Sequence, residues 1–414
     1  MTRALLAVLL TAAMTPGTVA ITHGTVAMTP GAAAIASGNG GEAARAMPCT
    51  SDVVARDAVV GDPFDGAGAV YLVSDDEIVP VKPPTTLQEG DGFGWSVALA
   101  EIDGDGCADL LVGAPYADVE SLQDAGVVYI MPGKGGAPIR VTSPEPQSDA
   151  HFGWSVAAKG EMIAVGAPYE DQGDLADTGS VYVLKGQGEM KKINQESKEI
   201  LGNPEVGDQY GWALAFGAGN SLVVGVPYEN DDGAGVQNGE GRLDSGSVSI
   251  IADITAQKPT AVKWEPPDDR AGDRFGYAVA YVEGMGIAVG APQADFVQFL
   301  DAAGKPTRKV KGEGNFGFSL AASKDGRLAV GAPYAGGTGA VRILSGSGGS
   351  AERRLVFPPG GRFGWSVAFA GNRVLAGAPD AAPYGMIGIA GRNEDTVQEL
   401  QPPKGVEFGA SAGG

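Results

Sequence analysis

The sequence predicts an all-β fold, a seven-bladed β-propeller of four-stranded antiparallel blades, closed by pairing of its C-terminal and N-terminal segments. Three observations predict it. A Phe-Gly or Tyr-Gly pair recurs seven times, at Phe93, Phe152, Tyr210, Phe275, Phe316, Phe363 and Phe408. A Gly-Ala-Pro turn, or its Gly-Val-Pro variant, follows six of these pairs, ending at Pro115, Pro168, Pro227, Pro292, Pro333 and Pro379. The chain also has 66 Gly, 27 Pro and only 7% aromatic residues among its 414, which favours short elements joined by turns over long helices.

Each unit reads as four strands. Strand A carries the Phe-Gly pair, and strand B is the apolar run into Gly-Ala-Pro. Strand C follows a glycine and alternates, as in Gly126-Val-Val-Tyr-Ile and Gly179-Ser-Val-Tyr-Val. Strand D is a weaker edge, such as Ile78 to Lys82 or Lys191 to Asn194. In the fifth unit Asp295 to Phe299 takes the strand C place after a shortened turn. Four antiparallel strands at this period make one blade, and a blade cannot bury both its faces alone. With period-two alternation, strand A places Phe93, Trp95 and Val97 on one face and Gly94, Ser96 and Ala98 on the other. A bulky face then meets a small-residue face on the next blade.

The ends complement each other. The first unit has Gly61-Asp62-Pro63 but no strand A, and the last Phe-Gly pair, at Phe408, has no strand B after it. The C-terminus is therefore expected to supply strand A to the blade formed by Ala55 to Pro83, leaving no open sheet edge.

The N-terminus, MTRALLAVLLTAAMTPGTVA, has one basic residue, an apolar run too short to span a bilayer, and a small-residue cleavage site. Residues 1–20 read as a signal peptide, 21–47 as a low-complexity leader, and 48–414 as the propeller. The signal peptide makes the expected location secreted or extracellular; no later segment is long and apolar enough to cross a membrane, and the expected state is a monomer. A net charge of −21 disfavours nucleic acid and anionic membranes and favours cations, basic proteins or neutral sugars.

The turn Glu101-Ile-Asp-Gly-Asp-Gly-Cys-Ala-Asp109 has acids at alternate positions and glycines that let it curl. Such a turn offers a hard cation several oxygens. Glu101, Asp103, Asp105 and Asp109 would supply carboxylates to Ca2+, and Cys107 its carbonyl; a solvated acidic hairpin turn is the alternative. Cys49 and Cys107, the only cysteines, occupy equivalent positions in neighbouring units. In an exported protein they read as a disulfide, with two free thiols as the alternative.

The repeated Phe-Gly and Gly-Ala-Pro, with an Asp-rich turn between them, resemble the FG-GAP repeats of the integrin alpha-subunit N-terminal propeller. The resemblance runs from about Cys49 to the C-terminus. It implies seven blades, calcium at some A–B turns and extracellular protein binding, in a propeller standing free of other domains. The residues after Phe-Gly are Trp95, Trp154, Trp212, Tyr277, Phe318, Trp365 and Ala410. By resemblance, the six aromatic ones form an axial ring that takes a basic group, although interblade packing accounts for them equally well. Acids crowd the D–A and B–C turns: Asp91, Asp149, Asp208 and Asp273, then Asp118, Glu170, Asp171, Asp174, Glu229, Asp231 and Asp232. They read as an acidic rim, or simply as solubilising charge. The only histidines are His23 and His151, which leaves no catalytic constellation. The chain is thus expected to be a non-enzymatic, calcium-stabilised adhesion or protein-binding module. The alternative is a carbohydrate-binding or carbohydrate-active propeller.

Overall fold

The structure, a computed structural model, describes residues 57–414 except 75–76, 187, 198–199, 231–241, 347–352, 358–359 and 395. The expected signal peptide, the leader and Cys49 lie outside the described residues.

Among the described residues, twenty-eight strands form seven four-stranded antiparallel sheets. Blade 2 is the simplest, with strands A to D at Ser96–Ala100, Asp109–Ala114, Val127–Met131 and Ile139–Val141. Blade 3 runs from Ser155–Lys159 to Lys191–Ile193 and blade 4 from Ala213–Phe216 to Ala261–Trp264. Blade 5 runs from Ala278–Val282 to Pro306–Lys311 and blade 6 from Ser319–Ala322 to Arg353–Val356. Blade 7 runs from Val367–Ala370 to Gln398–Leu400.

Blade 1 joins the two ends of the described chain. Its strands B, C and D are Ala58–Asp62, Ala69–Ser74 and Glu77–Pro80, and its strand A is Ser411–Gly413. Gly413, Ala412 and Ser411 pair antiparallel with Val59, Val60 and Gly61. The expected closure is therefore present. Asp62 is the clasp: fully buried, it accepts hydrogen bonds from the Val406 and Glu407 amides at 2.8 and 2.9 Å. This explains why the first unit carries Gly-Asp-Pro where the others carry Gly-Ala-Pro or Gly-Val-Pro.

The apolar core is divided among the interfaces between blades. Val59, Val70 and Leu72 of blade 1 pack on Phe93, Leu99, Leu110 and Val112 of blade 2. Similar clusters join each following pair, and Ala58, Val60, Tyr71 and Phe408 of blade 1 meet Leu375, Ile387 and Ile389 of blade 7. The Phe or Tyr of each repeat is buried in such an interface, and in blades 1 to 3 it packs edge-on against the strand C tyrosine of its own blade: Phe408 on Tyr71, Phe93 on Tyr129, Phe152 on Tyr182.

The repeat glycines are fixed by close approach. A Cβ on Gly113, the glycine of Gly-Ala-Pro in blade 2, would lie 2.1 Å from the carbonyl oxygen of Gly153 in blade 3. Gly153 itself has φ of +95°, a left-handed conformation that glycine adopts without a steric penalty.

One expectation is corrected. Phe93, Gly94 and Trp95 lie in the turn before strand A, which begins at Ser96. Gly94, with φ of +97°, breaks the extended alternation, so Phe93 and Trp95 do not share a face. Phe93 enters the interblade core, whereas Trp95 stays half-buried outside it. From Ser96 onward Val97 and Leu99 are buried and alternate with half-buried Ser96 and Ala98 as expected.

Candidate functional site

The meander puts the A–B and C–D turns on one face of the ring and the D–A and B–C turns on the other. Two candidate sites follow, one per face.

On the D–A and B–C face, the six aromatics after Phe-Gly form an arc. Ring centroids are 4.7 Å apart for Trp95–Trp154, 4.9 Å for Trp154–Trp212 and 5.5 Å for Trp212–Tyr277. They are 5.1 Å apart for Tyr277–Phe318 and 4.5 Å for Phe318–Trp365. Neighbouring planes are tilted by 43° to 49°. A sevenfold ring turns each blade by about 51° from the last, so these rings occupy equivalent places around one axis. Ala410 interrupts the arc between Trp365 and Trp95.

A second tier was not read from the sequence. Tyr116, Tyr169 and Tyr228, each after the proline of its turn, stand edge-on to Trp95, Trp154 and Trp212 at 5.2 to 5.3 Å. The recurring Pro-Tyr dipeptide was the available signal. Phe64, at the same place in blade 1 and 49% exposed, packs 5.9 Å from Trp95. Phe64, Trp95 and Tyr116 line a cavity of about 450 Å³ whose rim carries Glu89. His151 is wedged between Tyr116 and Tyr169, and its Nδ1–H donates to the Pro115 carbonyl at 3.1 Å.

Charge is divided across this mouth. On blades 2 and 3, exposed Asp118 and Asp171 accept hydrogen bonds from the Asp124 and Asp177 amides. Burial, and then neighbouring carboxylates, push the Asp177 carboxyl above its ordinary range; burial pushes Asp124 up too, against the opposing pull of His151. On the far side, Arg274 lies over Tyr228 at 4.8 Å and Arg362 over Trp365 at 4.1 Å, the latter also paired with Asp380. One aromatic face of the arc is thus already taken by the chain's own cation.

The expected acidic rim is corrected in part. Asp118, Asp149, Asp171 and Asp174 are exposed, and Asp273 is half-buried, but Asp91, Glu170, Asp208 and Glu229 are buried. Asp91, Asp208 and Asp273 cap their own turns, accepting from the amides of Gln88, Glu205 and Arg270. Glu170 pairs with Lys192 and accepts from Tyr182, and Glu229 pairs with Lys263. Strand D lysines facing these glutamates were the missed signal. Asp231 and Asp232 lie outside the described residues.

On the opposite face, the A–B turn of blade 2 brings carboxylate oxygens of Glu101, Asp103 and Asp109 within 4.8 Å of one another. Asp109 is fully buried; its Oδ2 accepts from the Ile102 and Asp103 amides and its Oδ1 from Gly133. Burial, then the charge of Asp109, raises the Asp103 carboxyl above its ordinary range. Three clustered oxygen donors suit a hard divalent cation. Asp105 stands outside this trio: its Oδ1 accepts from the Cys107 amide, and Lys134 donates to its carbonyl at 2.6 Å. Cys107 is buried.

Fold and repeats together define the class: a seven-bladed β-propeller that contains FG-GAP repeats. The FG-GAP repeat family matches residues 93–131, and a second FG-GAP repeat family matches 139–184. The chain is 32% identical over 166 residues to integrin alpha-7 of Mus musculus, covering 36% of this chain and 13% of that protein. It is 33% identical over 173 residues to integrin alpha-PS2 of Drosophila melanogaster, covering 36% of this chain and 12% of that protein. It thus resembles the integrin alpha-subunit propeller while spanning only about an eighth of those relatives. Among solved structures, a 6-phosphogluconolactonase-like protein from Bacteroides uniformis superimposes with a TM-score of 0.54 at 11% identity, over 86% of this chain and 98% of that one. A virginiamycin B lyase from Staphylococcus aureus gives 0.51 at 11% identity, over 74% and 83%. These two show shared architecture alone. Among the described residues, no helix is long and apolar enough to cross a membrane.

Proposed function

We propose that this chain is an extracellular adhesion or protein-binding module that recognises a basic group of its partner at the aromatic mouth. The observation that carries this reading is the cavity lined by Phe64, Trp95 and Tyr116 with Glu89 at its rim. Aromatic faces attract a lysine or arginine head through their quadrupoles, and a nearby carboxylate adds direct attraction. Asp118 and Asp171 on the adjacent blades steer the same charge. The arc from Trp95 to Trp365 extends the contact surface beyond that cavity.

An immobilised basic peptide is expected to bind the full chain in a salt-sensitive manner. Trp95→Ala should weaken that binding by about tenfold, in line with one desolvated cation–π contact. Surface plasmon resonance at two salt concentrations reads both effects. Salt-independent binding, or glycan-array binding lost in Trp154→Ala, would replace this reading with a carbohydrate-binding propeller.

Calcium is the proposed stabiliser of the opposite face. Glu101, Asp103 and Asp109 would hold it, with Asp105 and the Cys107 carbonyl joining if the turn tightens around the ion. The ion would offset carboxylate repulsion and fix the A–B turn of blade 2. At a hundredfold excess over its dissociation constant it should stabilise the fold by about 2.7 kcal/mol. Isothermal titration is expected to show one site that is lost in Asp103→Asn; no calcium heat, or heat unchanged in the variant, overturns the assignment. A Cys49–Cys107 disulfide would staple the N-terminal segment to that turn. It is supported by the burial of Cys107 and by the lack of a free cysteine among the described residues. Export through the signal peptide at residues 1–20 completes the reading.

A further inference from the structure

A second pocket lies on the face away from the aromatic mouth, where blades 5, 6 and 7 meet. It has a volume of about 490 Å³ and is lined by Arg327, Ser345, Arg353 and Arg392, with Asp325 and Glu283. Three guanidinium groups stand against two carboxylates, a local positive surplus in a chain whose net charge is −21.

The strand register builds the pocket floor. Arg327 opens strand B of blade 6 and Ser345 ends its strand C, and the two are direct cross-strand partners. Side chains of such partners project to the same face of the sheet. Arg327 is only 7% exposed. Its Nε donates to both oxygens of Asp325, at 2.8 and 3.1 Å, and its Nη1 to the Asn372 carbonyl at 3.4 Å. The guanidinium lies over the Phe369 ring at 5.0 Å, which fixes its plane. Its Nη2 is buried with no acceptor, and so is the Ser345 hydroxyl. A buried donor without an acceptor costs free energy, and here two of them line one pocket. Arg392, half-exposed at the rim, sits 3.3 Å from Asp325, so one carboxylate already serves two arginines.

We propose that this pocket binds a tetrahedral oxyanion, a phosphate or sulfate group, through Arg327, Ser345 and Arg392. An oxyanion offers several acceptor oxygens, which matches the buried Arg327 Nη2 and the buried Ser345 hydroxyl, both without an acceptor. Arg392 supplies the mobile charge-assisted hydrogen bond that closes over the ligand. The pocket lies within the range of ligand sites, so it admits the organic part of a monoester as well as the anionic group. The site is independent of the aromatic mouth and lies on the other face of the ring.

Isothermal titration of the full chain at low ionic strength, with inorganic phosphate, inorganic sulfate and glucose 6-phosphate as probes, tests the proposal. Saturable binding of at least one probe is expected, weakened about tenfold in Arg392→Ala and in Ser345→Ala, the loss of one hydrogen bond to a charged group. Both variants should melt like the parent chain, because neither removes a core side chain. Tighter binding of the ester than of the free ions identifies an ester ligand, and equal affinity identifies the ion itself. No saturable binding of any probe overturns the proposal, as does equal binding in both variants, which would mean an adventitious ion only.

Discussion

Removing Val406–Gly414 is expected to abolish the single cooperative unfolding transition. The segment closes the ring in three ways. Ser411–Gly413 completes the sheet of blade 1, and Phe408 fills the interface with blade 7. The Val406 and Glu407 amides bind buried Asp62. Loss of a buried phenylalanine side chain alone costs about 3–5 kcal/mol. Leaving the Asp62 carboxyl buried without its donors adds about 1–3 kcal/mol. Together these approach the whole stability of an ordinary domain, about 5–15 kcal/mol. Truncation also exposes one edge of the Ala58–Asp62 strand, an invitation to aggregate. Circular dichroism melts of the truncated chain and of Phe408→Ala read the effect. The point variant should be destabilised by about 3–5 kcal/mol and the truncated chain should show no sharp transition. A truncated chain that melts like the full one would show that the seven interfaces do not depend on closure.

The second large effect concerns Asp208, which is fully buried between blades 3 and 4. Burial, and then the charge of Glu229, push its carboxyl from the ordinary 3.8 up to about 9. Its Oδ2 accepts from the Glu205 amide at 2.8 Å, while its Oδ1 is buried without a partner. A carboxyl whose pKa is raised on folding favours the folded state in its protonated form. Its contribution is fully present below the unfolded pKa and is lost as pH rises through the folded one. Stability should therefore decline between about pH 4 and about pH 9, by at most roughly 1.4 kcal/mol per unit from this group. Asp208→Asn keeps the acceptor for Glu205 and removes the titration. Urea unfolding near pH 5 and near pH 8 should show the variant gaining on the parent by up to roughly 4 kcal/mol between the two, the gap widening toward the alkaline end. Parallel pH dependences would mean that Asp208 is charged in the folded protein.

The repeat period, the strand order and the closure were legible because they rest on residue types that backbone geometry forces. Gly113 and Gly153 meet carbonyl to Cα between blades, and no other residue fits there. The split between Phe93 and Trp95 was not legible, because alternation assumes an extended chain and Gly94 is left-handed. The acidic rim is exposed only in part, for a related reason. A carboxylate at a turn looks solvated in sequence, yet Glu170 and Glu229 turn inward to strand D lysines that lie over twenty residues away. In the acidic turn of blade 2, Glu101, Asp103 and Asp109 converge, whereas Asp105 accepts from the Cys107 amide at its carboxylate and from Lys134, a residue of another turn, at its carbonyl. The tyrosine tier was written plainly in the Pro-Tyr repeats, and only a three-dimensional ring shows that it backs the tryptophans.

The serine that stands two residues after the repeat glycine in five of the seven units has a use of its own. Ser96, Ser155, Ser319, Ser366 and Ser411 each donate to the Phe-Gly or Tyr-Gly carbonyl of the following blade, at 2.6 to 2.9 Å. They form a belt of polar stitches around the inner wall, and Ser411 carries it across the junction of the two chain ends. In blades 4 and 5 the same position is Ala213 and Ala278, so the belt skips two consecutive joints. The junction of the termini is thus stitched like most of the ring, and the slack lies elsewhere, where blades 4, 5 and 6 meet on apolar contact without a stitch.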